Sequence, residues 1–279
     1  MVVRRHKSAL KNYPLNFATP TKNRGVGSFH SPQLKTSELT NKIMTTFQKY
    51  TIHGSTIFGI ATILLGIIML FTFPISADLS EGFRTPIIAF EFAKIETDLS
   101  FLSGSGELNK LNREKMDAGH FWDMGFPFAY GGFIVLMLLQ ITKGGHRFVW
   151  LGILFAVSII PFDINENLIL LEITKALGNS ASIEVLLLEL HMATWFKWGA
   201  LGASIAVLAA GFAVSKEYLS AVVSLLAVSS IAVCWASSSE PSIAEVMSAL
   251  IFLFFLILSI KACIQSWALI RQQQSSWTA

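Results

Sequence analysis

Pro161-Phe162-Asp163-Ile164-Asn165-Glu166-Asn167 places two carboxylates and two amides inside an apolar run that extends from Phe148 to Ile173. Asp163, Glu166 and Asn167 stand at i, i+3 and i+4, so on a helix they share one face. Pro161 removes a backbone donor just before them and loosens the turn there. Ionisable groups at membrane depth turn toward a bundle interior or a water-filled cavity, and they mark functional sites by default. About fifteen residues of helix from Phe148 to Asp163 rise roughly 22 Å, which puts the carboxylate in the outer third of a hydrocarbon core of about 30 Å.

The rest of the chain supports that reading. Hydrophobic residues make up 53% of the 279 residues and charged residues 14%, with a mean hydropathy of +0.57, far more apolar than a soluble domain. Six nearly uncharged windows are long enough to cross a bilayer: Ser55 to Ile75, His120 to Ile141, Phe148 to Ile173, Met192 to Val214, Tyr218 to Ser237 and Ile243 to Ile264. The fold class is therefore all-α, a polytopic membrane helix bundle of about six transmembrane helices, with an amphipathic helix in the first outer loop. In domain terms, 1-50 is a basic cytoplasmic tail, 51-266 the transmembrane bundle with a polar core unit at 55-214, and 267-279 a polar C-terminal tail.

Charge sets the orientation. The first fifty positions carry nine Lys/Arg against the single acid Glu38, and the segment from Asp78 to Asp117 has eight acids to five bases. Positive flanks stay on the cytoplasmic side, so both termini are expected there, with Lys143, His146, Arg147, Lys216, Lys261 and Arg271 at the inner face. Trp122, Trp195, Trp198 and Trp235 then form an outer aromatic ring, and Trp150 and Trp267 an inner one. The tail from Met1 to about Lys42 reads as disordered and basic, or as an organelle transit peptide, since it is rich in Ser, Thr, Asn and Lys/Arg. The membrane is accordingly the plasma or inner membrane, or an organelle membrane if the tail is a transit peptide. Cys234 and Cys263 fall at opposite ends of their spans and should not pair.

Thr85-Pro86 reads as a helix start, with Thr as N-cap and Pro at the first position. An amphipathic helix from Thr85 to Leu102 is expected to fold over the bundle as a lid carrying Phe90 and Glu91. A further helix should begin near Glu107 and run into the second span, where Asp123 and Tyr130 lie seven apart, hence on one face. Asp123 enters the membrane from the outer side, as does Lys197 in Thr194-Trp195-Phe196-Lys197-Trp198. The topology brings Asp123, Asp163, Glu166, Asn167 and Lys197 to one depth on three adjacent helices, and Tyr130 shares the Asp123 face. Pairing lowers the cost of burying each, so Asp163 and Lys197 are expected within salt-bridge reach, with Asn167 close by. Ser242 to Glu245 reads as a capping box. Small residues in the first, fourth and fifth spans, Gly59 and Gly66 among them, suit close helix packing.

No phosphate loop, GxSxG elbow, HExxH or paired CxxC is present. His120 and His191 lack the spacing of a metal site, so no metal is implied, and the sequence names neither a cofactor nor a nucleic-acid partner. The chain resembles a group of small multi-pass membrane proteins without an established activity. The resemblance lies in Thr85-Pro86-Ile-Ile-Ala-Phe-Glu91-Phe-Ala, in Asp123 with Tyr130, in Asp163-Ile-Asn-Glu166-Asn167 and in Phe196-Lys197. It covers roughly Ser55 to Val214 and implies a four-helix functional unit without a named substrate.

The leading functional expectation is binding or transport of a small cation or proton-coupled solute through the Asp/Glu/Asn/Lys cluster, with the lipid bilayer as the other partner. One alternative is a membrane-embedded enzyme acting on a lipid or quinone headgroup, with Asp163 or Glu166 as general base. The other is a structural bundle whose ion pairs fix helix packing.

Overall fold

The computed structural model describes residues 33–75, 77–141 and 147–275, and the side chains of all of these except 33–45 and 275. The tail before Gln33 and the inner-loop residues Lys143, Gly144, Gly145 and His146 lie outside the described residues. The chain divides into two units, Met1–Asn41 and Lys42–Ala279. In the first, residues 33–41 are helical; the second holds the bundle.

Eight α-helices are described: α1 Gln33–Thr72, α2 Pro86–Glu91, α3 Glu107–Asp123, α4 Phe126–Ile141, α5 Val149–Gly178, α6 Glu184–Val214, α7 Tyr218–Ala236 and α8 Pro241–Ser275. No strand occurs among the described residues. Six helical stretches are long and apolar enough to cross a membrane: Thr46–Thr72, Glu107–Ile141, Val149–Gly178, Glu184–Val214, Tyr218–Ala236 and Pro241–Gln274. The protein is thus a polytopic helical membrane bundle, as its composition requires: in hydrocarbon only a helix or a closed barrel satisfies its own backbone.

The boundaries depart from expectation where local chemistry intervenes. The 1-50 segment becomes helical at Gln33, and α8 continues through the 267-279 segment as far as Ser275. The second span is interrupted at Met124 and Gly125, between α3 and α4. Pro127 in the first turn of α4 explains the break, because it has no N–H to donate to the Asp123 carbonyl four residues back and its ring crowds that carbonyl. Pro161, in contrast, sits inside an uninterrupted α5.

Short connections make α5 and α6 antiparallel neighbours, and these two share an extensive interface. α4 packs on α5 at close range. A β-carbon placed on Gly131 would lie 3.2 Å from the Ala156 carbonyl oxygen, so a side chain here would need the two backbones to part by a few tenths of an ångström. Two apolar clusters result. One joins α4, α5, α6, α7 and α8 through Phe133, Ile134, Ile159, Leu201, Ile205 and Phe254. The other joins α2, the segment after it, α3 and the adjoining ends of α5 and α6 through Phe90, Leu99, Leu102, Met116, Leu170 and Leu190.

The expected single helix from Thr85 to Leu102 is not one helix. It is α2 followed by a break at Phe92 and a 3₁₀ turn at Glu96–Leu99. The break has a local cause: the Asp98 carboxylate accepts the backbone N–H groups of Lys94 and Ile95 at 3.0 and 3.2 Å, offering the backbone a partner other than the helix. The segment is nonetheless packed down, with Phe90, Leu99 and Leu102 fully buried. Asn112 donates to the Phe101 carbonyl at 3.0 Å, and Arg113 donates to those of Leu102 and Gly104.

The capping-box reading of Ser242 to Glu245 is also corrected. Glu240 caps α8, its carboxylate accepting from the Ile243 N–H at 3.0 Å, since Pro241 takes the first helical position. Glu245 instead clasps the start of α2. It accepts from the N–H groups of Arg84 and Thr85 at 2.9 and 2.7 Å and from the Thr85 hydroxyl at 2.6 Å.

Candidate functional site

A polar layer separates the two apolar clusters. Along α5, Ala156 and Ile159 belong to the first cluster, Asp163, Glu166 and Asn167 follow, and Ile169, Leu170 and Ile173 belong to the second. Along α6 the order reverses: Leu187, Leu190 and Ala193, then Thr194 and Lys197, then Trp198, Ala200 and Leu201. Antiparallel packing of α5 on α6 therefore sets the two polar stretches side by side, and α3 and α4 bring Asp123 and Tyr130 to the same level.

Lys197 is the centre of this layer. Its Nζ lies 3.1 Å from Glu91 Oε2 and 3.9 Å from Asp163 Oδ1, and it pairs directly with Glu166 Oε2. It also stands 5.0 Å from the centre of the Trp198 ring, a favourable cation–π arrangement. Tyr130 donates its hydroxyl to Asp163 Oδ2 at 2.5 Å. Asp123 Oδ2 is 4.0 Å from His120 Nδ1. Asp163, Glu166, Asn167 and Lys197 are all buried, as are Asp123 and Glu91. The expected proximity of Asp163 and Lys197 is present, and Asn167 lies on the same buried face of α5.

Trp198, expected in the outer aromatic ring, is instead buried beside Lys197 and stacks on Phe92 with ring centres 6.4 Å apart. Glu91 was expected as an acid on a lid. It points inward and completes the lysine's shell, held a second time by Thr194, whose hydroxyl donates to the Glu91 carbonyl at 3.3 Å. Its sequence carried a usable signal, for Glu91 sits between Phe90 and Phe92 in an otherwise apolar stretch.

His120 was weighed only as a metal ligand, yet it belongs to the layer. Its ring lies between those of Phe73 and Phe90, with centres at 5.3 and 5.8 Å, and it faces Asn167 without a hydrogen bond of good geometry. The Asn167 amide, the His120 nitrogens and Asp163 Oδ1 are buried without hydrogen-bond partners. Buried polar atoms left in this state are costly, and of these Asp163 Oδ1 and Asn167 Oδ1 are acceptors. Among the described residues, no group of three His, Cys, Asp or Glu side chains has metal-binding geometry.

The layer forms the floor of a cavity of about 630 Å³. Glu91, Asp123, Tyr130, Asp163 and Lys197 supply its floor, Thr62, Arg84, Thr85 and Ser248 add polar groups elsewhere, and the remaining walls, from α1, α2 and α8, are mainly apolar. Fold and site together define an integral, multi-pass helical membrane protein with a buried ionisable cluster. The chain matches no family model, no curated protein and no solved structure.

Proposed function

We propose that the protein binds, and carries across the bilayer, a small cation or a proton-coupled solute at the Lys197 cluster. The charge balance is the observation that supports this reading. Three buried carboxyl groups, Glu91, Asp163 and Glu166, lie within ion-pair reach of Lys197 and a fourth, Asp123, is buried in the same layer; an acid excess at membrane depth is balanced by bound protons or by a cation. Three of the four also border the cavity, so a ligand there meets them directly. The orientation that accompanies this reading has both termini in the cytoplasm, and the proposal extends to the group of multi-pass proteins whose motifs the chain resembles.

The test uses the purified full chain in liposomes. Saturable binding of radiolabelled methylammonium, with uptake driven by a pH gradient, is expected for the wild type. It should fall at least about tenfold for Asp163→Asn and for Glu91→Gln. A wild-type protein that neither binds nor takes up methylammonium, sodium or potassium would sink the reading. A second reading, an enzyme acting on a lipid or quinone headgroup, is favoured by the Tyr130 hydroxyl and Asp163 carboxylate meeting at the floor of an apolar cavity. Chemical change in lipid or quinone incubated with wild type but not with Asp163→Asn protein would establish it.

A further inference from the structure

The shape and walls of the cavity narrow the ligand class. α1 grips the bundle in the first half of its span Thr46–Thr72. His53 Nδ1 meets the Ser266 hydroxyl at 2.7 Å, Thr56 donates to the Ala262 carbonyl at 2.9 Å, and Gly59 packs against Ser259 and Phe133. Beyond Gly59 the helix leaves α8, and the space between them is the cavity: Gly66, Met69 and Leu70 of α1 face Ile251, Phe252 and Phe255 of α8. A β-carbon placed on Gly66 would have nothing within 4 Å. Leu70 is 66% and Phe252 50% exposed although both line the cavity, so the cleft opens sideways between two membrane helices, toward lipid. At its other end stand Glu91, Asp123, Tyr130, Asp163 and Lys197, with Asp163 Oδ1 lacking a hydrogen bond.

We propose that the ligand is an amphiphile with a protonated amine head and one apolar tail, which reaches the Lys197 cluster sideways from the bilayer through the cleft between α1 and α8. This rests on the cation reading of that cluster and adds the tail and the route. Charge complementarity selects the head: at the floor Glu91, Asp123 and Asp163 outnumber Lys197, with Arg84 exposed at the wall, so an ammonium brings donors to Asp163 and neighbouring carboxylates where a neutral alcohol has no ionic partner. The walls select the tail, since apolar side chains of α1 and α8 make up most of their surface, with Thr62, Arg84, Thr85 and Ser248 the polar exceptions outside the floor. The volume falls within the range of roughly 300–1,000 Å³ that holds one drug-sized molecule.

The test measures saturable binding of tritiated dodecylamine to the full chain in phosphatidylcholine nanodiscs, with empty nanodiscs as background and methylammonium, dodecanol and dodecanoate as comparisons. Dodecylamine is expected to bind saturably, with apparent affinity at least about tenfold above that of methylammonium, because its tail concentrates it in the bilayer beside the cleft. Dodecanol and dodecanoate should not displace it. Gly66→Phe fills open space on the cavity wall, so the fold should tolerate it; it should reduce dodecylamine binding at least about tenfold and methylammonium binding far less, since methylammonium has no tail to place there. Asp163→Asn should reduce binding of both amines.

Wild-type protein that binds methylammonium but shows no saturable dodecylamine binding would overturn the lateral-amphiphile inference and leave the cation reading standing. Dodecylamine binding that survives Gly66→Phe, or that dodecanoate displaces, would do the same. Failure of both amines to bind would overturn the inference together with the reading beneath it.

Discussion

Lys197 stands where carboxylates from α2 and α5 converge, and its removal would leave Glu91 and Glu166 buried without a cation. Breaking a buried ion pair by deleting one partner costs about 3–5 kcal/mol, whereas deleting both members is milder. Lys197→Met is therefore expected to destabilise the detergent-solubilised protein by about 3 kcal/mol, read as a lower thermal midpoint or faster unfolding. The double variant Lys197→Met with Glu166→Leu should recover a good part of that loss, as residues in direct contact do not act additively. Additive losses would mean that the two side chains do not form one ionic unit.

α2 shows how an element of six residues can govern a site. Isolated helices of this length do not persist in water, so α2 is held from outside, by the Glu245 clasp at its start and by Lys197 and Thr194 at Glu91. Cysteine introduced at Phe90 should react slowly with a membrane-impermeant thiol reagent and cysteine at Glu96 quickly, because Phe90 is fully buried and Glu96 exposed. Adding Glu245→Ala frees two backbone donors and the Thr85 hydroxyl, and should speed labelling at position 90; equal, fast labelling at both positions without it would remove the lid. The α4–α5 crossing depends on a single atom's worth of space. Gly131→Val is expected to push α4 off Ala156 and separate Tyr130 from Asp163, with a loss of about 1–3 kcal/mol. A variant as stable as the wild type would show that the crossing tolerates a side chain.

At the scale of the whole molecule, an even number of crossings carries the chain out and back. Six candidate spans and the basic first fifty residues predict both termini on the cytoplasmic side. Cysteines added near the two ends should therefore share one accessibility in intact and in inverted vesicles, opposite to that of a cysteine at Glu96. Different accessibility of the two ends would mean an odd number of crossings.

Hydropathy and period by themselves determined that the chain is a bundle of membrane helices, since each span must satisfy its own backbone whatever its neighbours. The intramembrane Asp163, Glu166, Asn167 and Lys197 were legible for the same reason: a charge in an apolar run is visible without coordinates. Their convergence could be reasoned from depth and topology, because both are sums along one helix. Glu91, His120 and Glu245 could not be placed that way. Glu91 and Glu245 enter through the segment between α1 and α3 and its docking on α8, where side chains such as Asp98 compete with the helix for backbone partners. His120 depends on the break that Pro127 makes between α3 and α4. The cavity was equally beyond the sequence, for it exists because the span Thr46–Thr72 of α1 packs on α8 as far as Gly59 and borders open space after it, a matter of how two helix surfaces meet rather than of what either contains.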